Sequence, residues 1–140
     1  MEELLLLREL IEQKAYEQAL AVVDDLEEMS REDKYARIYS YAVILLVHLI
    51  KQEAEQRTTR PWDFWIFNSV KDIKRTNQRR KSGGDYADEE KLIEILEDAF
   101  DTALKKSALE AFGGIYTDEQ LIERIDQVTI KEKALSLIND

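Results

Sequence analysis

The chain contains no cysteine, which excludes disulfides, thiolate nucleophiles and Cys-ligated zinc or iron–sulfur sites. It contains a single histidine, His48, so one chain cannot build a site from several imidazoles. Only a carboxylate-dominated metal site stays open. One proline and four glycines in 140 residues leave few points where a helix must stop. Long hydrophobic runs are also missing. The longest, Tyr41 to Val47, falls far short of the ~20 residues that cross a bilayer. The opening Met1-Glu2-Glu3 is acidic and precedes only a short leucine run, which is not the basic start of a signal peptide. The expected location is the cytoplasm, with no membrane partner.

What the chain has in plenty is charge: 30 acidic against 20 basic residues, a formal net charge of −10. The balance of Lys and Arg over Asp and Glu is −7 for residues 1–30, +2 for 31–60, +4 for 61–82, −6 for 83–115 and −3 for 116–140. Acidic ends therefore flank a basic middle. A chain of this length fits one domain and buries about 68–70% of its unfolded surface, so 1–140 is expected to fold as one unit without metal or disulfide.

The apolar spacing is helical rather than alternating. Residues 2–13 and 15–29 read as two short helices joined near Lys14-Ala15. They look superficially like one tetratricopeptide hairpin, but no second copy follows about 34 residues on. Ser30 with Asp33 reads as an N-cap for a third helix over about 31–57. Its middle, Tyr41 to Ile50, is apolar at every position except His48. A helix apolar on all sides must be surrounded, so the third helix is expected to be the buried centre of the fold.

Thr58 to Pro61 is the expected connector, with proline in the first turn of a fourth helix. That helix carries Trp62, Phe64, Trp65, Ile66 and Phe67, then a basic second half from Lys71 to Lys81. Ser82-Gly83-Gly84-Asp85 reads as a loop inside the domain. Acids from Asp85 to Glu90 open a fifth helix, the favourable sign for its dipole, and Gly113-Gly114 stop it. Thr117 with Gln120, and Thr129 with Glu132, read as capping boxes for two short final helices. The fold class is all-α: a single helical bundle of six or seven helices around a long, buried third helix.

Leu45-Leu46-Val47-His48-Leu49-Ile50-Lys51, followed by Trp62, Ile66, Asn68 and Ile73, resembles the bacterial family known as "domain of unknown function 29". That family shows a serine-started helix reading Leu-Leu-x-His-Leu-Leu-Lys. A polar turn follows, then a tryptophan, an isoleucine four residues later and an asparagine two beyond. The match spans Ser40 to Ile73, about a quarter of the chain. The resemblance implies an all-α fold from a bacterial source and carries no assigned activity.

Each candidate site has a plainer explanation beside it. His48 has no acid one turn before it, where Ile44 and Leu45 stand, so the Glu-x-x-His pair of di-iron bundles is absent. A neutral imidazole donating to a helix carbonyl or a tyrosine explains it more simply, and Asn68 is a candidate partner. Trp62 and its aromatic neighbours read first as core anchors and second as a partner surface. Lys71, Lys74, Arg75 and Arg79 could track phosphates, although a net charge of −10 opposes long-range encounter with nucleic acid. Glu94-x-x-Glu97 and Glu123-x-x-Asp126 resemble the carboxylates of all-α nucleotide pyrophosphohydrolases that hold magnesium. With 30 acids in the chain, such spacing arises readily by chance.

No P-loop, nucleophile elbow or zinc signature is present, and no catalytic residue, metal or cofactor is assigned. The sequence leans away from an enzyme and toward a protein-interaction or regulatory module, with a protein partner or a second copy. Nucleic-acid binding through the 71–81 segment is the alternative, and magnesium-dependent nucleotide hydrolysis the third reading.

Overall fold

A computed structural model describes residues 2–79 and 83–140. Six α-helices follow one another: α1 Glu2–Glu12, α2 Tyr16–Glu55, α3 Arg60–Asn77, α4 Glu89–Glu110, α5 Asp118–Ile122 and α6 Gln127–Asn139. A short 3-10 turn, Ala111–Gly114, follows α4. Among the described residues there is no strand, only an isolated antiparallel bridge between Gln78 and Asp85. The all-α expectation holds. The chain divides into two compact units, Met1–Lys34 and Tyr35–Asp140.

The expected second and third helices are one. α2 runs 40 residues without interruption, and Ser30 lies inside it instead of capping a new start. No glycine or proline stands between Lys14 and Thr58 to break it. A serine inside a helix costs only a few tenths of a kcal/mol more than good helix formers, too little to force an end. Arg31 pairs with Glu28 at 3.8 Å across the position. The central helix of the expected bundle is therefore the second half of α2.

In the N-terminal unit, α1 turns into α2 through Gln13, Lys14 and Ala15. Lys14 takes the left-handed conformation, with φ of 62°. The Ala15 N–H donates to the Leu10 carbonyl at 2.8 Å and the Lys14 N–H to Ile11 at 3.0 Å, a Schellman closure without its usual glycine. Ala19 is the buried apolar residue here, and α1 has none.

The C-terminal unit is an up-down-up-down bundle, and its side-chain pairs give the directions. His48 meets Trp65 and Gln52 meets Asp63, so α3 runs antiparallel to α2. Tyr39 bonds Thr102 and Lys51 pairs with Glu110, so α4 runs parallel to α2. Glu97 pairs with Lys131 and Glu89 with Asn139, so α6 descends antiparallel to α4. Ile38, Leu45, Leu46 and Ile50 are at most 1% exposed, as are Ile73 and Leu121. Burying each such side chain contributes roughly 1.5–3 kcal/mol.

The basic fourth helix of the sequence reading ends early. α3 stops at Asn77, and Gln78 is already extended. Arg80, Lys81 and Ser82 lie outside the described residues. The cause of the stop is the Asn77 side chain, buried at 5% exposure. Its amide donates to the Ala87 carbonyl at 3.1 Å and accepts the Ala87 N–H at 2.7 Å. Asn77 thus imitates one rung of a strand pair and closes the loop that carries Gly83 and Gly84, both at positive φ. α4 then begins after Asp88, whose carboxylate accepts the Lys91 N–H at 2.8 Å.

Thr117 forms the expected capping box with Gln120. Thr129 does not cap the last helix. Asp126 does so by accepting the Thr129 N–H at 3.3 Å, and α6 begins at Gln127. A carboxylate three residues upstream outcompetes a threonine that would have to leave the helix.

Replacing Asn77 by alanine strands both polar groups of Ala87 away from water. It is expected to cost about 2–4 kcal/mol of unfolding free energy, read as a lowered urea midpoint. Asn77→Asp keeps the acceptor and loses the donor, so it should also destabilise. A midpoint unchanged in Asn77→Ala would show that the loop closes without this pair.

Candidate functional site

The start of α3 is set by Thr59, whose hydroxyl accepts the Trp62 N–H at 3.2 Å, with Pro61 in the first turn. This places four aromatic residues within six positions, and the structure gives them different tasks. Trp62 is half-buried, with the Lys51 ammonium 4.9 Å and the Arg57 guanidinium 4.8 Å from its ring centroid. Lys51 itself is only 9% exposed and pairs with Glu110 at 3.3 Å. Trp62 therefore ties the end of α2 to the start of α3 through cation–π contacts.

Trp65 stacks on His48, with ring centroids 6.5 Å apart and planes at 22°. Phe64 sits edge-on to Trp65 at 5.4 Å. Phe64 and Phe67 are 54% and 64% exposed. His48 is half-buried, and its Nδ1 lies 2.8 Å from the Ile44 carbonyl. A carbonyl oxygen can only accept, so Nδ1 carries the proton. Loss of solvent holds the His48 pKa below the ordinary 6.5, although the bond to Ile44 pulls the other way. Asn68 does not serve His48; its amide donates to Asp72 on its own helix at 3.4 Å.

The four basic candidates part company. Lys71, Lys74 and Arg75 are exposed on α3, whereas Arg79 lies past the helix end with its guanidinium 5.6 Å from the Tyr86 ring centroid. Lys71 and Lys74 line an open groove of about 570 Å3 between α2, α3 and α6. Its apolar lining comes from Leu49, Ile66, Phe67, Val70 and Leu137, with Gln52, Asp63 and Lys133 completing it. The Lys74 ammonium donates to the main-chain oxygen of Asp140, which fixes one of the three lysines against α6.

Sequence reasoning missed Lys133 and Leu137. The signal was present as a pair four apart on an amphipathic helix, but nothing in the sequence says which face of α3 it meets. It also missed the partners of the acidic pairs. Glu94 bridges to Lys91 at 3.4 Å and Glu97 to Lys131 at 2.8 Å, while Asp126 caps α6. Among the described residues, no group of three or more His, Asp or Glu is arranged to hold a metal ion.

The class of protein is thus an all-α bundle with a lysine-lined apolar groove. The chain matches the family described as "domain of unknown function DUF29" over residues 7–133, and it belongs to that family. The match reaches well beyond the His48–Asn68 motif into all six helices. No curated protein and no solved structure matches the chain. Among the described residues, no helix is long and apolar enough to cross a membrane.

The depressed His48 pKa has a definite sign. Below 6.5 the unfolded chain binds a proton that the folded chain resists, so stability rises with pH in that window. The stabilisation is complete above 6.5 and is lost as pH falls toward the folded pKa. The urea midpoint is expected to drop as pH falls below 6.5, and His48→Gln should flatten that change. An equal drop in His48→Gln would assign it to other groups.

Proposed function

We propose that this protein is a non-enzymatic protein-interaction module of the bacterial cytoplasm, and that it holds an acidic amphipathic helix of a partner in the α2–α3–α6 groove. The observation that carries this reading is the meeting of Lys71, Lys74 and Lys133 at one apolar groove in a chain of net charge −10. Apolar anchors spaced i, i+3, i+4 and i+7 suit an open groove between helices. Acids flanking those anchors would meet the lysines, which favours acidic over basic partners. Phe67, 64% exposed at the groove, adds the aromatic surface that binding hot spots favour.

Nucleic-acid binding draws less support. Arg79 lies past the helix end with its guanidinium over the Tyr86 ring, apart from Lys71 and Lys74 at the groove. Nucleotide hydrolysis draws least, because Glu97 is committed to Lys131 and Asp126 to its cap.

The test is a fluorescently labelled Leu/Glu peptide of about 14 residues, designed as an amphipathic helix and titrated by anisotropy. Binding is expected to weaken as salt rises. Lys71→Glu combined with Lys133→Glu should weaken it about tenfold or more. An oligonucleotide titrated in parallel should bind more weakly than the peptide. Peptide affinity indifferent to the double charge reversal, or tighter binding of the oligonucleotide, contradicts the reading.

A further inference from the structure

Resting on that reading, we infer that the acidic helix is supplied by a second copy of the chain: α1 of one molecule occupies the groove of another, and the protein is a homodimer. α1 has no buried residue. Leu4, Leu5, Leu6 and Ile11 are 45%, 62%, 47% and 50% exposed, an unusual amount of apolar surface for a helix of 11 residues. Leu4, Leu7 and Ile11 recur at helical spacing on one face, Leu7 half-buried, with Glu3 beside them and Glu12 paired with Arg8 at 3.7 Å.

Charge selects the groove over the alternatives. Residues 1–34 hold 11 acids against four bases, a net −7. Two N-terminal hairpins facing each other would bring like charge to like charge, which opposes their pairing. Lys71, Lys74 and Lys133 outnumber Asp63 at the groove and offer the opposite sign beside apolar surface. Length agrees as well. The 11 residues of α1 extend about 16 Å, and the groove wall on α3 from Asp63 to Lys74 extends about the same at 1.5 Å per residue.

The experiment uses full-length chains and light scattering after gel filtration. Wild-type protein is expected to run as a dimer at low salt and to dissociate as salt is raised. A groove variant, Lys71→Glu with Lys133→Glu, should run as a monomer. An α1 variant, Glu3→Lys with Glu12→Lys, should do the same. Mixed together, the two variants carry opposite charge at both contacts and should recover the dimer. Circular dichroism of each variant confirms that it is folded.

A wild-type monomer up to about 100 µM, well above a micromolar dissociation constant, overturns the inference. So does a dimer that survives both variants. The Leu/Glu peptide separates this failure from that of the groove reading. With the α1 variant as receptor, the groove is unoccupied, and the peptide should bind it several-fold more tightly than it binds wild type. If wild type is a monomer and the peptide binds it as tightly as it binds the α1 variant, the groove reading stands and the second copy is not its occupant. If the peptide binds neither chain, both fail.

Discussion

A helix that is apolar around its whole circumference gains from leaving water on every side, and no single neighbour can cover it. Between Tyr41 and Ile50, α2 has this character at every position but His48, with Ala42, Leu45, Leu46 and Ile50 fully enclosed. α3 covers one side and α4 another. On the α4 side the cover is close: Ala99, Ala103 and Ser107 are all 0% exposed. The Ser107 hydroxyl lies 2.7 Å from the Ala103 carbonyl and 3.3 Å from the Val47 carbonyl on α2. Small side chains let the backbones approach, and the serine oxygen has its partners in the interior, which avoids the cost of a buried unpaired group. The remaining helices have their places because these two sides are taken.

The same stretch explains why its charged end is not loose. Lys51 emerges from the core beside Trp62, Arg57 stands near the same ring, and Glu110 meets Lys51. Glu55, one turn on, pairs with Arg57 and accepts the Phe112 N–H at 3.3 Å. Three elements, α2, α3 and the turn after α4, are thereby joined at one end of the bundle. Individual exposed pairs contribute little, but Lys51 is largely out of solvent, where an unpaired ammonium would be costly. The angle at which α3 leaves this junction decides where Ile66 and Val70 stand, and hence that a groove exists beside α6.

Much of this was legible from residue patterns. The helical class followed from the scarcity of breakers, and the buried centre followed from Tyr41 to Ile50. The His48, Trp62 and Asn68 spacing was enough to point to the family. What escaped was of two kinds. Ser30 looked like a cap because capping is read locally, whereas continuation of α2 is decided by the absence of anything strong enough to end it. Asn77 looked like one polar residue in a basic run, yet its amide closes a loop ten residues wide through Ala87. A side chain that copies a backbone rung leaves no periodic trace. The groove was hidden for a third reason, since Lys71 and Lys133 lie far apart in sequence and only helix packing brings them together.

The polarity of charge then acquires a physical sense. Acidic ends around a basic middle could have meant nothing more than a solvated surface. The structure divides those basic residues: Arg57 and Lys51 serve an aromatic ring, Arg79 another, and Lys71 and Lys74 a groove with apolar walls. Cations beside exposed apolar surface in an acidic protein are selective in a way that the same cations in water are not, because desolvation strengthens the attraction to acids and raises the penalty for bases. The N-terminal unit presents the complementary combination, apolar side chains among carboxylates. On the proposed reading, the choice of occupant rests with the groove walls, Phe67 and Val70 first, and not with the buried face of α2.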